Sequence, residues 1–290
     1  MKSLATTSFL CALLLFGVLL PFSSNAQLDP SFYNNTCPNV SSIVRDVIRN
    51  VSKTDTRMLA SLVRLHFHDC FVQSQGPDWK VPLGRRDSLT ANQTLANQNL
   101  PAPFNSLDQL KAAFAKQGLN TTDLVALSGA HTFGKAHCSL FVSRLYNFSN
   151  TGNPDPTLNT TYLQELRNIC PNGGSSNNLA NFDPTTADKF DKNYYTNLQG
   201  KKGLLQSDQE LFSTTGADTI SIVNKFSSDQ KAFFESFKAA MIKMGNIGVL
   251  TGKQGEIRKQ CNFINSKSAE LGLINMASTD SSEEGMVSSI

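Results

Sequence analysis

The chain has 290 residues, with 26 Lys and Arg against 23 Asp and Glu, a net charge of +3 at pH 7. No basic run is dense enough for a nucleic-acid footprint. Beyond the N-terminal 26 residues no stretch is long and apolar enough to cross a membrane.

Residues 1–26 read as a secretory signal. Lys2 gives the positive start, 9–20 is an apolar run too short for a bilayer, and Ser24-Asn25-Ala26 offers small-residue cleavage. The remaining chain is long enough for one large domain or two lobes with a substantial core. Seven N-x-Ser/Thr sequons, at Asn34, Asn39, Asn50, Asn92, Asn120, Asn147 and Asn159, predict exposed glycan sites on a secreted chain. Of six cysteines, Cys11 leaves with the signal, and the odd remainder (Cys37, Cys70, Cys138, Cys170 and Cys261) cannot all pair within one chain.

After an extended lead-in at 28–33, Val40, Val44, Val47, Ile48 and Val51 predict a helix following Pro38. A second helix, from about Thr54, carries Arg64-Leu65-His66-Phe67-His68-Asp69-Cys70-Phe71-Val72. There Arg64, Phe67 and His68 share one face, continued by the small Ala60 and Ser61. A fixed cation, an imidazole and a ring over one spot suit acid–base chemistry on a small polarisable molecule. Filler on a surface or core face is the competing reading. A zinc site from His66, His68 and Cys70 is another, but it needs a strand, and 57–63 favours helix. Residues 73–86 read as loop, and Pro101-Ala102-Pro103-Phe104 as a rigid corner.

A helix over 107–116 ends at Gly118, and Thr122-Asp123 starts another that runs to His131. Helical patterns recur at 141–148, 161–169, 194–198, 217–225 and 228–245. Alternating strand patterns are almost absent, so the fold is mainly α. His131, with Leu124 and Leu127 on its face, reads as a core histidine by default. Asp208, in the 203–210 stretch, offers a carboxylate for Nδ1, which would make the imidazole a stronger, oriented axial ligand for iron. Asp183, Thr186, Asp191 and the intervening carbonyls are hard oxygen donors of the kind calcium takes, or else a solvated loop.

Taken together, FYNNTCP at 32–38, RLHFHDCFV at 64–72, LGRRDS at 83–88, DLVALSGAHTFG at 123–134, FDKNYY at 190–195, GLLQSDQELF at 203–212 and GEIRKQC at 255–261 resemble the secretory plant peroxidases, the class III haem peroxidases. The resemblance implies a two-lobed, mainly α fold over 27–265 that binds haem b, reduces hydrogen peroxide and oxidises phenolic donors by one-electron steps, as a secreted monomer. It implies His68 as distal acid–base histidine, Arg64 as distal arginine, Phe67 as the ring over that side, His131 as axial iron ligand and Asp208 as its support. It further implies a proximal calcium site from Thr132, Asp183, Thr186 and Asp191 with the Lys189 carbonyl. Asp69 and the Val72 carbonyl match the start of a distal calcium site, Pro101 the edge where donors approach, and Cys138–Cys170 a disulfide.

One departure stands out. After Gln73 the family continues with a calcium loop and two helices, whereas here Ser74-Gln75 leads straight to Gly76-Pro77. About 65 residues are absent, room for two helices of ordinary length (~11–12 residues each) and their loops. The expected consequences are a distal calcium site short of ligands, a poorly oriented His68, orphaned Cys37, Cys70 and Cys261, uncovered apolar surface, and an unpaired buried Arg85. The alternative is a catalytically inactive secreted protein that binds haem or a partner. Residues 266–290 are polar and small, and read as a disordered tail, with vacuolar sorting one role for it.

Overall fold

The computed structural model describes residues 28–55, 76–90, 94, 98–260 and 263–266. The segment bearing Arg64, Phe67, His68, Asp69, Cys70 and Val72 lies outside the described residues, as do Asn92, Cys261, the signal and the tail beyond Ser266. Helices dominate: α1 (Val40–Ser52), α2 (Leu107–Lys116), α3 (Thr121–Ser128), α4 (Val142–Tyr146), α5 (Thr160–Ile169), α6 (Asn193–Gln199), α7 (Gln206–Ser213), α8 (Thr219–Ser228) and α9 (Gln230–Gly245). Among the described residues the one sheet pairs β1 (Lys135–His137) antiparallel with β2 (Leu179–Asn181), Ala136 opposite Ala180.

Two apolar clusters hold these elements. The larger packs α2, α3, α6, α8 and α9 around Phe114, Leu124, Val125, Tyr195, Phe226, Phe233 and Phe237. Phe190, Phe233 and Phe237 meet there at ring separations of 4.9–5.7 Å, mostly edge-on, the arrangement that aromatic quadrupoles favour. The smaller cluster gathers Phe141, Leu145, Leu158, Tyr162, Leu166 and Leu204 around a disulfide between Cys138 and Cys170.

α3 starts where side chains can satisfy its first amides. Asn120 Oδ1 accepts the Asp123 N–H at 2.9 Å, and Asp123 Oδ2 accepts the Asn120 N–H at 2.9 Å. The helix therefore begins at Thr121, and it does not run through to His131. It stops at Ser128 and tightens into a 3₁₀ turn, Gly129–Thr132. A Cβ at Gly129 would collide with Tyr195 Oη and the Phe233 ring, so α6 and α9 approach the backbone where only glycine fits. That turn aims His131 and Thr132 in different directions.

α7 was not expected as a helix. Its signal is thin, since only Leu211 and Phe212 are apolar, but Asp208 accepts the Leu205 N–H at 3.0 Å and so closes the first turn. The carbonyls of Gly203 and Leu204, just before α7, each accept from Arg144 Nη1 at 2.6 Å. Arg144 also donates through Nε to Asp155 at 2.8 Å, both side chains being buried.

Arg85 corrects the expectation of an unpaired buried charge. It sits at the surface and donates to the carbonyls of Gly245 and Ile247, the latter at 3.2 Å. Gly245 ends α9, whose last carbonyls lack partners within the helix, and the helix dipole favours a cation there. Asp87 exchanges backbone bonds with Glu256 at 2.9 and 3.0 Å, so the LGRRDS stretch is tied to the GEIRKQC stretch. On α1, Ile48 is buried while Ile43, Val44 and Val47 are exposed. Of the sequons, Asn34, Asn39, Asn50, Asn120 and Asn147 are exposed and Asn159 is half-buried. Cys37 carries a free thiol.

Candidate functional site

His131 stands on the 3₁₀ turn after α3, and Asp208 on the first turn of α7. Tertiary packing brings them together across 77 residues of sequence, with His131 Nδ1 and Asp208 Oδ1 2.8 Å apart and both side chains buried. A carboxylate accepting from Nδ1–H fixes the tautomer, so the lone pair lies on Nε2. Phe182 lies flat on the imidazole, with centroids 4.0 Å apart and planes within 2°. Backbone pairing holds Phe182 there, its N–H donating to the Gly134 carbonyl at 3.1 Å, one step beyond the β1–β2 ladder. The ring is thus fixed on one face by Phe182 and through Nδ1 by Asp208.

Beside His131 opens a small cavity of about 30 Å³. Leu110, Phe114 and Leu124 give it apolar walls, Pro101 joins the lining, and Ser128, His131, Ser207 and Asp208 are its polar members. An imidazole oriented by a carboxylate, beside apolar walls, has the donor chemistry of an axial ligand to a haem iron.

Behind the 3₁₀ turn, Thr132, Asp183, Thr186 and Asp191 gather. Thr132 Oγ1 lies 2.8 Å from the Asp191 carbonyl, 3.4 Å from Asp191 Oδ1 and 3.5 Å from the Lys189 carbonyl. Thr186 Oγ1 lies 3.3 Å from Asp183 Oδ2. Asp183 is 0% exposed. Burial pushes its carboxyl above the usual range and the nearby Asp191 charge adds to that, against the Thr185 and Thr186 N–H donors that pull it down. Two carboxylates with a hydroxyl and a carbonyl suit a hard cation, which would offset this cost. Among the described residues no three His, Cys, Asp or Glu cluster as a transition metal would require.

Two contacts at this site had no sequence signal. Phe182 and Tyr194, whose hydroxyl donates to Asp208 Oδ1 at 3.0 Å, reach the site only through chain pairing and helix packing. Of the acid–base residues expected on the opposite side, Arg64 and His68 lie outside the described residues.

The family model described as Peroxidase matches residues 72–229. Peroxidase 15 from Ipomoea batatas is 48% identical, covering 89% of this chain and 99% of its own length. Peroxidase C1B from Armoracia rusticana is 47% identical over 92% of this chain and 96% of its own. Peroxidase 23 from Arabidopsis thaliana is 45% identical, covering all of this chain and 99% of its own. That last alignment runs to 355 positions, 65 more than the 290 residues present, so the relative's text contains stretches this chain lacks. With a family match over more than half its length and such relatives, the chain belongs to the peroxidase family, among the plant class III peroxidases, oxidoreductases that act on hydrogen peroxide.

Proposed function

We propose that this chain is a secreted, haem-dependent peroxidase that oxidises phenolic donors by one-electron steps. The observation that carries the reading is the His131–Asp208 pair beside an apolar-walled cavity. His131 Nε2 would hold the iron of haem b, with Asp208 fixing the ring and raising its donor strength. The bound haem supplies a redox iron at which peroxide takes up two electrons and donors return them singly.

The other roles follow the family pattern. His68 would carry a proton from the inner to the outer peroxide oxygen, and Arg64 would hold the negative charge that develops there. Phe67 would cover that side, and Pro101, which lines the cavity beside His131, would stand where aromatic donors approach. Thr132, Asp183, Thr186 and Asp191 would hold calcium with the Lys189 carbonyl, bracing the turn that carries His131. Asp69 and Val72 would begin a distal calcium site that lacks its remaining ligands.

Residues 1–26 would direct secretion, 27–265 form the peroxidase domain and 266–290 a tail, with glycans at the exposed sequons. We place the missing stretch between Gln73 and Gly76, where it would leave His68 less well oriented, lower the activity, and leave Cys37, Cys70 and Cys261 without their partners. The test is guaiacol turnover by the haem-loaded mature chain, wild type against His68→Leu. Turnover in the wild type, lost in the variant with the haem spectrum kept, is the expected result. No turnover in the wild type despite a normal haem spectrum would overturn the assignment of activity.

A further inference from the structure

Asp208 serves a second donor besides His131. The same Oδ1 that lies 2.8 Å from His131 Nδ1 also accepts the Tyr194 hydroxyl at 3.0 Å, while Oδ2 takes the Leu205 N–H at 3.0 Å. Exposure is 2% for Tyr194, 2% for Asp208 and 6% for His131, so water does little to screen these bonds. The phenol has no freedom to swing away. Its ring lies edge-on to Tyr195 at 5.0 Å and to His131 at 6.4 Å.

Two donors on one oxygen draw on the same electron density. Charge that the phenol withdraws is no longer available to pull on Nδ1–H, and the imidazole keeps less anionic character. The geometry points to Tyr194 as a positioning residue that sets how strongly Asp208 polarises His131, and through it the electron density His131 offers a haem iron. This rests on the reading of His131 as the haem ligand. It adds a lever outside the iron's own ligand: the protein tunes its axial histidine by sharing the carboxylate behind it.

The tuning has a sign, which a packing role lacks. Tyr194→Phe keeps the ring and removes the hydroxyl, so Asp208 becomes the stronger acceptor. Difluorotyrosine placed at position 194 keeps ring and hydroxyl but donates more strongly, so Asp208 becomes the weaker one. It also preserves a folded protein should the Phe variant fail to fold. In the haem-free protein with labelled histidine, the His131 Nδ1–H proton resonance is expected to move downfield in Tyr194→Phe and upfield with difluorotyrosine. In the haem-loaded protein the Fe(III)/Fe(II) midpoint potential is expected to fall in the first and rise in the second. Unmoved resonances and potentials, or shifts of one sign in both proteins, would overturn the inference. Proton shifts of opposite sign without haem binding sink the haem reading and leave the coupling standing. Normal haem binding with unmoved potentials does the reverse.

Discussion

The Arg144–Asp155 pair is the place where one substitution should cost most. Arg144 is 2% exposed and Asp155 2%, and the guanidinium holds Asp155 Oδ2 at 2.8 Å and the Gly203 and Leu204 carbonyls at 2.6 Å. Arg144→Met keeps much of the volume but leaves a buried carboxylate whose remaining donors are the Thr157 N–H and hydroxyl, at 2.8 and 2.7 Å. Removing one partner of such a pair costs about 3–5 kcal/mol, and two orphaned carbonyls add roughly 1 kcal/mol each. The sum, about 5–7 kcal/mol, rivals the whole stability of an ordinary domain, about 5–15 kcal/mol. Urea unfolding followed by circular dichroism reads it as a fall in midpoint at constant slope. Adding Asp155→Leu removes the stranded charge, so the double variant should recover about 2–4 kcal/mol over Arg144→Met. A single variant within about 1 kcal/mol of wild type, or a double variant worse than the single, would refute this reasoning. Because the two carbonyls lead directly into α7, the single variant should also loosen Asp208.

Breaking the Cys138–Cys170 disulfide, which spans 32 residues, should cost about 3–4 kcal/mol on the loop-entropy model; a reductant-insensitive unfolding midpoint would contradict it. Chelator treatment should lower the melting temperature of wild type and leave Asp183→Asn little changed, and equal shifts in both would argue against a cation at Asp183. Burial raises the phenol pKa of Tyr162, Tyr194 and Tyr195. An acid kept neutral by the fold contributes stability that is complete below its unfolded pKa of about 10 and is lost as pH rises beyond it. Phenolate absorbance from these three should therefore emerge together with alkaline unfolding; smooth ionisation in the still-folded protein would contradict their burial.

The helices were legible wherever apolar residues recur at helical spacing with a cap nearby. The 107–116 pattern is α2, and the Val40 to Val51 spacing is α1. His131 was legible as a residue but not in its setting. The apolar run 124–127 points to one continuous helix, and only the close approach of Tyr195 and Phe233 to Gly129 shows why it tightens into a 3₁₀ turn. Phe182 and Tyr194 were illegible because their contacts depend on strand pairing and helix packing rather than on spacing. The pairing of Arg85 is hidden for a like reason: its partners are backbone carbonyls, which no side-chain motif reveals. Asp208 could be singled out because an oriented imidazole calls for a carboxylate, yet the helix it begins could not.

The assignment rests on His131 as the side chain that holds a haem iron, and His131→Gly tests it most directly. Haem titrated into the variant should give no histidine-ligated absorption spectrum, and added imidazole, entering the vacated space, should restore it. A spectrum in His131→Gly identical to wild type, before any imidazole is added, would contradict the account.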